Sequence, residues 1–333
     1  MKRYIILLIS CAMCILCTSC NSPAEERQIS LNGDVREITS RKIELKNVTD
    51  KFIPARIYNI GDNIVLMQKN ITNIPTTYIF DIDGNLLCEG LYLGRGPQDI
   101  NGLDVRFFSK AEDGFLLLEQ SNSICKVFLE NKRLKIIDRQ VVDMPFGLNG
   151  VVDLGNDKFC CLDLSESDTE LNIISTKPDF ETLSIGKYPP QSSGDIFLNN
   201  MIGVGMPQKE KFAYFYNFLG KFKIYSNEGD LLQDVCIGDV KSQQIIENPQ
   251  ERIVYFMSAC ANDEYIYTSY LECEYQKRID LPSTRILKWD WNGNLVEQYK
   301  TDALISYMTI TENNQLVGIN TYSDENILYI YDM

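Results

Sequence analysis

The segment that decides the fold is TYIFDIDGNLL, residues 77–87, in which a short apolar run, a turn rich in Asp and Gly, and a second apolar run follow one another. A turn such as Asp83-Gly84 between two such runs is the usual signal of a two-residue β-hairpin, because both central residues of that turn need positive φ. The segment therefore predicts two adjacent antiparallel strands.

The same pattern recurs along the chain. Its other copies are ICKVFLENKRLKII (124–137), LNIISTKPDFETL (171–183), FKIYSNEGDLL (222–232), ILKWDWNGNLV (286–296) and the shorter ILYIYDM (327–333). A turn-flanked apolar segment precedes each copy, at a spacing of roughly fifty residues. Stretches such as PARIYNI (54–60) add a further strand, which gives about four strands per repeat.

Six repeats of four strands predict an all-β chain folded as a six-bladed β-propeller over residues 39–333. The last repeat lacks its fourth strand, and RKIELKNV (41–48) can supply it beside residues 327–333. The ring would then be closed by an N-terminal strand joining the C-terminal blade, with no open sheet edge. A β-sandwich pair or a β-solenoid is the alternative, but the repeat is too long for a solenoid coil.

Residues 1–19 have the composition of an export signal. A short basic start, Lys2 and Arg3, precedes an apolar run that is too short to span a bilayer comfortably. The run ends in CTSC (17–20), which resembles the lipobox of bacterial lipoproteins and implies acylation of Cys20. Cys17 stands where that motif usually has Leu, Val or Ile. An ordinary cleaved signal peptide is the alternative.

Residues 20–38 are expected to form the lipidated N-terminus and a flexible tether, because NSPAEERQ (21–28) is polar. Its AEE resembles the acidic signals that direct many Bacteroidetes lipoproteins to the outer surface. The resemblance implies an outer-membrane lipoprotein that meets the membrane through the lipid on Cys20, and it leaves open whether the protein faces the periplasm or the exterior.

Charge and composition exclude several classes of function. The 333-residue chain carries a formal charge of −14, which repels phosphate backbones, so nucleic acid is not expected as a partner. It contains no histidine, which excludes Ser-His-Asp and Cys-His catalysis and His-ligated metal sites. Of the eleven cysteines, three lie in the leader and one is Cys20, which leaves seven. Their spacing is not that of a zinc site, so we expect no metal and no cofactor.

The segment GLYLGRGPQD (90–99) follows the first repeat. With the lipobox, the N-terminal closing strand and the FDxDGxL hairpin, it makes the chain resemble the six-bladed TolB-like β-propeller lipoproteins of Bacteroidetes over almost its whole length. The resemblance implies a propeller and a cell-envelope location, but no agreed substrate or reaction. Gln98-Asp99 stands where such proteins often carry Gly or Ser and then Glu.

This segment supplies the candidate ligand-binding residues. It connects two blades, and such connections meet the channel on one propeller face. The candidates are Gly94, Arg95, Gly96, Pro97 and Asp99. The glycines let the backbone approach a partner, and the guanidinium suits carboxylates or sugar hydroxyls. Alternatively, Arg95 pairs with a neighbouring acid and locks two blades together, a reading that the similar Gly186 and Gly238 favour.

No catalytic residues are expected, and the leading functional prediction is a non-enzymatic binding or scaffold module for a glycan or a protein. The alternative is a carbohydrate-active hydrolase or lyase that uses channel carboxylates, with pairs such as Asp163 and Glu166. Acids clustered with Arg or Tyr in a deep channel would favour the enzyme. The connections 187–200 and 274–285 exceed hairpin length and are further candidates for ligand contact.

Overall fold

The computed structural model describes residues 25–49, 52–111, 114–120, 122–142, 148–163, 169–177, 179, 181–188, 200–238, 248–323 and 325–333. The signal sequence and Cys20 lie outside them. These residues form six β-sheets in a ring, each of them one blade of a six-bladed β-propeller, which confirms the predicted fold class.

Three short strands lead into the ring: β1 (Glu26–Ile29), β2 (Arg36–Glu37) and β3 (Arg41–Glu44). Blade 1 consists of β4 (Pro54–Ile60), β5 (Asn63–Gln68), β6 (Thr77–Phe80) and β7 (Leu86–Gly90). Blade 2 consists of β8 (Leu103–Ala111), β9 (Gly114–Glu119), β10 (Ser123–Glu130) and β11 (Arg133–Val141). Blade 3 consists of β12 (Val152–Gly155), β13 (Lys158–Leu162), β14 (Leu171–Ser175) and β15 (Leu183–Ile185).

The second half of the chain repeats this arrangement. Blade 4 consists of β16 (Met201–Met206), β17 (Lys211–Tyr216), β18 (Lys221–Ser226) and β19 (Leu231–Ile237). Blade 5 consists of β20 (Ile253–Ala261), β21 (Tyr265–Glu274), β22 (Arg285–Asp290) and β23 (Leu295–Lys300). Blade 6 consists of β24 (Tyr307–Ile310), β25 (Gln315–Ile319), β26 (Ile327–Asp332) and the N-terminal β3.

The ring closes where the sequence predicts. β3 pairs antiparallel with β26, and Ile43 lies opposite Leu328. The first strand of every blade is its innermost strand, and β24 of blade 6 contacts β4 of blade 1. Strands from both ends of the chain therefore share blade 6, and the six inner strands surround a central channel.

Apolar side chains fill the interfaces between neighbouring blades. Each of the six interfaces holds its own buried cluster. Between blades 4 and 5, for example, Trp289 is fully buried against Phe222, and its indole N–H donates to Thr268 Oγ1 at 3.0 Å. Both faces of each sheet are thus buried, which explains the nearly continuous apolar strands at blade centres.

The segment before the closing strand differs from the expected tether. β1 pairs parallel with the outer strand of blade 4, and β2 pairs parallel with the outer strand of blade 5. Glu26 reaches Lys221 of blade 4 at 2.8 Å, and the Arg27 side chain reaches Asn294 of blade 5 at 2.8 Å. The backbone of this polar segment hydrogen-bonds to the free edges of two blades. Amino-acid composition alone does not reveal such pairing.

The hairpin turn at Asp83-Gly84 is longer than the predicted two-residue type. β6 ends at Phe80 and β7 begins at Leu86, and of the intervening residues only Gly84 has positive φ. The Asp81 carboxylate accepts hydrogen bonds from the backbone N–H groups of Asp83 and Asn85, so a side chain shapes the turn. The turn at Asp290 in blade 5 repeats this arrangement.

The seven cysteines beyond Cys20 are all free thiols. Five of them, Cys88, Cys125, Cys160, Cys161 and Cys236, are buried among blade residues, in keeping with their apolar sequence context. Within the described ranges, no helix has both the length and the apolar character needed to cross a membrane.

Candidate functional site in the central channel

The central channel of the described propeller encloses a cavity of about 900 Å³. Inner strands from all six blades contribute to its wall. Because these strands run in the same direction around a propeller, the connections between blades enter at one end of the channel and the first hairpin turns lie at the other. The two ends carry different side chains.

At the end where the inter-blade connections enter, the described channel wall contains three arginines, Arg56, Arg106 and Arg278. We call this end the arginine mouth. Tyr275, Tyr307 and Tyr322 line the same end. The arginines come from blades 1, 2 and 5, so chain segments distant in sequence build this mouth together.

Arg278 is held in place by two tyrosines. It lies in the 3₁₀ helix Tyr275–Asp280, which connects β21 to β22. Its guanidinium carbon lies 3.5 Å from the centre of the Tyr275 ring and 5.4 Å from that of Tyr322. Its Nε donates to the Tyr322 hydroxyl at 3.1 Å, and its Nη1 donates to the Tyr275 carbonyl. Stacking and hydrogen bonding therefore fix the plane of the guanidinium.

Arg56 occupies the neighbouring part of the mouth, at the junction of blades 1 and 6. Its guanidinium carbon lies 3.7 Å from the centre of the Tyr307 ring, and its Nη1 donates to the Ala55 carbonyl at 2.8 Å. Within the described part of the chain, neither Arg56 nor Arg278 forms an ion pair with a carboxylate. Among the described residues, these two guanidiniums are therefore without a carboxylate partner.

Arg106 differs from these two because Asp104 neutralises it. Two of its nitrogens contact the two carboxylate oxygens of Asp104, at 2.9 and 2.6 Å. Tyr58 lies beside this pair, donates its hydroxyl to the Val105 carbonyl at 2.8 Å, and stacks on Phe108. Burial raises the pKa of Tyr58, so it stays a neutral phenol. The polar side chains on this side of the mouth therefore already have partners within the protein.

The opposite end of the channel is acidic. We call it the acidic mouth, and its carboxylates are Asp153, Asp263, Glu264 and Glu312. Lys110 is the one cation that lines this end among the described residues, and its ammonium lies 3.9 Å from Glu312. Ser109 donates to Asp153 at 2.5 Å, and burial raises the pKa of that carboxyl group. Among the side chains of the described channel wall, arginines and carboxylates therefore occupy opposite ends.

The GRGPQD segment lies between β7 and β8, as predicted, but its residues are absent from the described channel wall. The Asp99 carboxylate folds back and accepts a hydrogen bond from the backbone N–H of Gly96 at 2.9 Å. A side chain at Gly94 would collide with that carboxylate. Gly94, Gly96 and Asp99 therefore form a compact turn, and Pro97 is exposed at its tip.

The side chains next to this turn attach it to blade 2. Gln98 exchanges two hydrogen bonds with the backbone of Ile136 in β11, at 2.8 and 3.0 Å. Arg139 donates to the Asp99 carbonyl at 2.7 Å and lies 3.2 Å from the Glu119 carboxylate. Arg139, and not Arg95, therefore connects the turn at residues 94–99 to an acid of blade 2.

Arg95 is exposed, and it forms no hydrogen bond or ion pair with any residue that the structure describes. The predicted pairing of Arg95 with a neighbouring acid is therefore not found among those residues. Whether this exposed guanidinium and its turn contact a ligand stays a prediction.

The carboxylate pair that the enzyme alternative names, Asp163 and Glu166, lies only partly within the described residues. Asp163 directly follows β13 and is not part of the described channel wall. Glu166 lies outside the described residues. The most buried acid nearby, Glu170, pairs with Lys223 at 2.7 Å between blades 3 and 4. Burial raises the pKa of Glu170. This pair is part of a blade interface.

One group of side chains has the spacing of metal ligands: Glu26, Asp234 and Cys236. The ammonium of Lys221 lies 2.8 Å from Glu26 and 2.7 Å from Asp234, so a cation already occupies the space between the two acids. Burial raises the pKa of Cys236 to about 12, which keeps it a thiol. The group serves to fix β1 on blade 4.

The residues of the arginine mouth were only partly accessible from sequence. The connection 274–285 was predicted to contact a ligand, and Arg278 within it does line the channel. Most of the connection 187–200 lies outside the described residues, and Asn200 at its end lines the channel. The sequence predicts a strand around Arg56 but not a binding role for its side chain, because its neighbour Tyr307 is 251 positions away.

No known protein family matches the chain, and no curated protein matches it by sequence. Solved structures do resemble it. A candidate exported protein from Bacteroides fragilis has a TM-score of 0.58 and 10% identity, over 92% of this chain and 98% of that one. A DUF4221 family member from Bacteroides vulgatus has a TM-score of 0.57 and 10% identity, over 90% and 97%. At these identities the likeness concerns the fold alone.

Proposed function

We propose that this chain is an exported lipoprotein of the cell envelope, anchored through Cys20, whose propeller binds a ligand in its central channel without converting it chemically. The lipobox-like CTSC and the similarity in fold to a candidate exported Bacteroides protein support the location. We also propose that the chain belongs to the TolB-like β-propeller lipoproteins and that it is attached to the outer membrane.

The observation that carries the binding function is the channel itself. Its volume of about 900 Å³ lies within the range of ligand sites in proteins. Its described wall brings together charged, aromatic and amide side chains from all six blades. Such convergence of polar groups in a concave site is typical of ligand binding.

The separation of charges argues against hydrolase or lyase chemistry in the channel. General acid and base catalysis at a glycosidic bond needs two carboxylates that flank one bond. Here the carboxylates of the described channel wall lie at one mouth, whereas its arginines and most of its tyrosines lie at the other. At the arginine mouth, Asp104 is held in an ion pair with Arg106, and no carboxylate of the described channel wall lies at that end to act with it.

If Cys20 is lipidated, the anchor also limits where the propeller sits. Five residues lie between Cys20 and Glu26 in β1, so the six steps from one to the other reach at most about 20 Å in an extended chain. β1 lies on the outer edge of blade 4. The rim at blade 4 would then stay near the membrane, and neither mouth would need to face the lipid.

A thermal-shift screen of the full-length chain in detergent tests the binding function. Neutral oligosaccharides, acidic oligosaccharides and peptides are the probes, and a ligand at a hundred times its Kd should stabilise the fold by about 2.7 kcal/mol. The variant Met257→Trp fills the arginine mouth and should abolish the shift, whereas Ile137→Trp, on the exposed outer strand of blade 2, should retain it.

Two results would contradict the proposal. A shift that Met257→Trp leaves unchanged would place the ligand outside the channel. Conversion of any bound probe, detected by mass spectrometry after incubation, would show that the protein is an enzyme.

A further inference from the structure

We infer that the arginine mouth recognises the carboxylates of an acidic oligosaccharide. The inference rests on the proposed binding function and specifies its ligand. Arg56 and Arg278 are the recognising groups, and the tyrosines around them supply the platform on which sugar rings pack.

The first support is uncompensated positive charge. The chain carries a formal charge of −14, yet Arg56 and Arg278 lie at one mouth without a carboxylate partner in the described part of the chain. A half-buried guanidinium without an anion attracts one, and the attraction is stronger there than on an open surface. A ligand carboxylate would complete both sites.

The second support is the fixed orientation of the two guanidiniums. Each one stacks on a tyrosine ring, at 3.7 Å for Arg56 and 3.5 Å for Arg278. Each donates through Nη1 to a nearby carbonyl, and Nη2 of each makes no hydrogen bond to the described residues. The free edge of a fixed guanidinium matches the planar, bidentate geometry of a carboxylate.

The third support is the opposite charge of the far end. Asp153, Asp263, Glu264 and Glu312 at the acidic mouth repel an anion. An anionic ligand is therefore attracted at the arginine mouth only, and it is expected to enter and bind the channel from that end. A neutral ligand would gain nothing from this separation of charge.

The fourth support distinguishes a sugar from an acidic peptide. Tyr322 is 37% exposed, and Tyr275 and Phe218 are half-buried, which offers ring faces to the C–H groups of a sugar. Asn149 and Asn200 line the channel and can donate to or accept from hydroxyls. A peptide is recognised mainly by strand addition or by apolar anchors, and the described mouth is dominated by polar and aromatic side chains.

Calorimetric titration of the full-length chain in detergent with tetragalacturonate tests the inference. The methyl-esterified tetramer has the same backbone without charge and serves as the ligand control. We expect binding of the acid form only, and weakening as salt is raised. Arg56→Gln and Arg278→Gln should each weaken binding about 10- to 100-fold, as loss of a charged hydrogen bond does.

Two further variants separate charge from geometry. Arg278→Lys keeps the charge but loses the fork and should also weaken binding by about tenfold. Arg133→Gln removes an exposed arginine on the outer strand of blade 2 and should leave affinity unchanged. Thermal unfolding of each variant confirms that it is folded.

The outcomes distinguish this inference from the proposed function. Equal binding of the esterified tetramer, or full affinity in the Arg56→Gln, Arg278→Gln double variant, would overturn the inference and leave channel binding intact. Binding of tetraglutamate in preference to tetragalacturonate would assign the mouth to acidic peptides and overturn it as well. No binding of any probe in the broader screen would overturn the proposed function itself.

Discussion

The guanidinium carbon of Arg56 lies 3.7 Å from the centre of the Tyr307 ring, and this contact joins blade 1 to blade 6 at the channel mouth. Further along the same two inner strands, Thr309 donates to Asn59 at 2.7 Å. Blade 6 is also the blade that β3 and β26 complete together. The candidate site therefore lies on the junction where the ring closes.

Truncation from the N-terminus should distinguish the contribution of β3, which closes the ring, from that of β1 and β2, which pair with the outer strands of two blades. Removing residues 1–39 deletes β1 and β2 but keeps β3, and we expect a folded propeller that is less stable by roughly 1–3 kcal/mol, because the buried Ile38 and the ion pair of Glu26 with the buried Lys221 are lost. Removing residues 1–48 also deletes β3 and leaves the edge of β26 unpaired. That chain should aggregate or lose cooperative unfolding.

Urea unfolding and size-exclusion chromatography of the two truncated chains measure this difference. Equal stability of both chains would show that β3 is dispensable for closure.

The exposed turn at residues 94–99 gives a second prediction. Arg95→Ala should change the free energy of unfolding by no more than about 0.5 kcal/mol, because Arg95 is exposed and makes no ion pair among the described residues. Arg139→Ala is the comparison, since Arg139 holds Glu119 and the Asp99 carbonyl together and should cost roughly 1–3 kcal/mol.

Denaturant titration of both variants reads out the stabilities. A large loss in Arg95→Ala would show that it locks the blades after all. Loss of ligand affinity without loss of stability would support the predicted ligand contact of this turn.

The architecture was open to prediction from sequence because each blade repeats one local pattern. A turn residue such as Gly84 or Gly293 and the apolar runs beside it are short-range signals, and pairing of residues 41–48 with 327–333 follows from the incomplete last repeat. The channel residues were harder. Arg56 reads as an ordinary strand residue until the ring brings Tyr307 beside it, and no local pattern records that neighbourhood. The expected tether was polar, yet its backbone pairs with two blade edges.

The buried pair Glu170–Lys223 gives a third prediction. Both side chains are almost fully buried, the carboxylate also accepts from Tyr225 at 3.0 Å, and the ammonium also donates to the Lys187 carbonyl at 3.0 Å. Glu170→Gln should destabilise the fold by about 3–5 kcal/mol, because it leaves a buried ammonium unpaired.

The double variant Glu170→Leu, Lys223→Met should recover much of that loss, since apolar residues can replace a buried ion pair. Chemical denaturation of Glu170→Leu, of Lys223→Met and of the double variant forms a double-mutant cycle. Additive losses would mean that the two charges do not stabilise each other.

Buried thiols predict sensitivity to high pH. Burial raises the pKa of Cys125 to about 11 and those of Cys161 and Cys236 to about 12. In the unfolded chain a thiol has a pKa near about 8.5. Because the folded pKa is the higher one, the unfolded state loses its protons first. The stability is complete below about pH 8.5 and falls as the pH rises towards 11–12.

Midpoints of urea unfolding between pH 7 and pH 11 test that direction. Iodoacetamide labelling at pH 8, followed by mass spectrometry, should leave Cys125, Cys161 and Cys236 unmodified in the native protein and modify them in urea. Rapid native labelling of these three residues would contradict their assigned burial.

The most direct test of the central claim is a crystal structure of the protein with the tightest ligand from the screen. The account predicts that ligand in the central channel, with an anionic group within hydrogen-bonding distance of Arg56 and Arg278 and a sugar ring against Tyr322. A ligand bound on the GRGPQD turn or on the outer rim, with the channel unchanged, would contradict it.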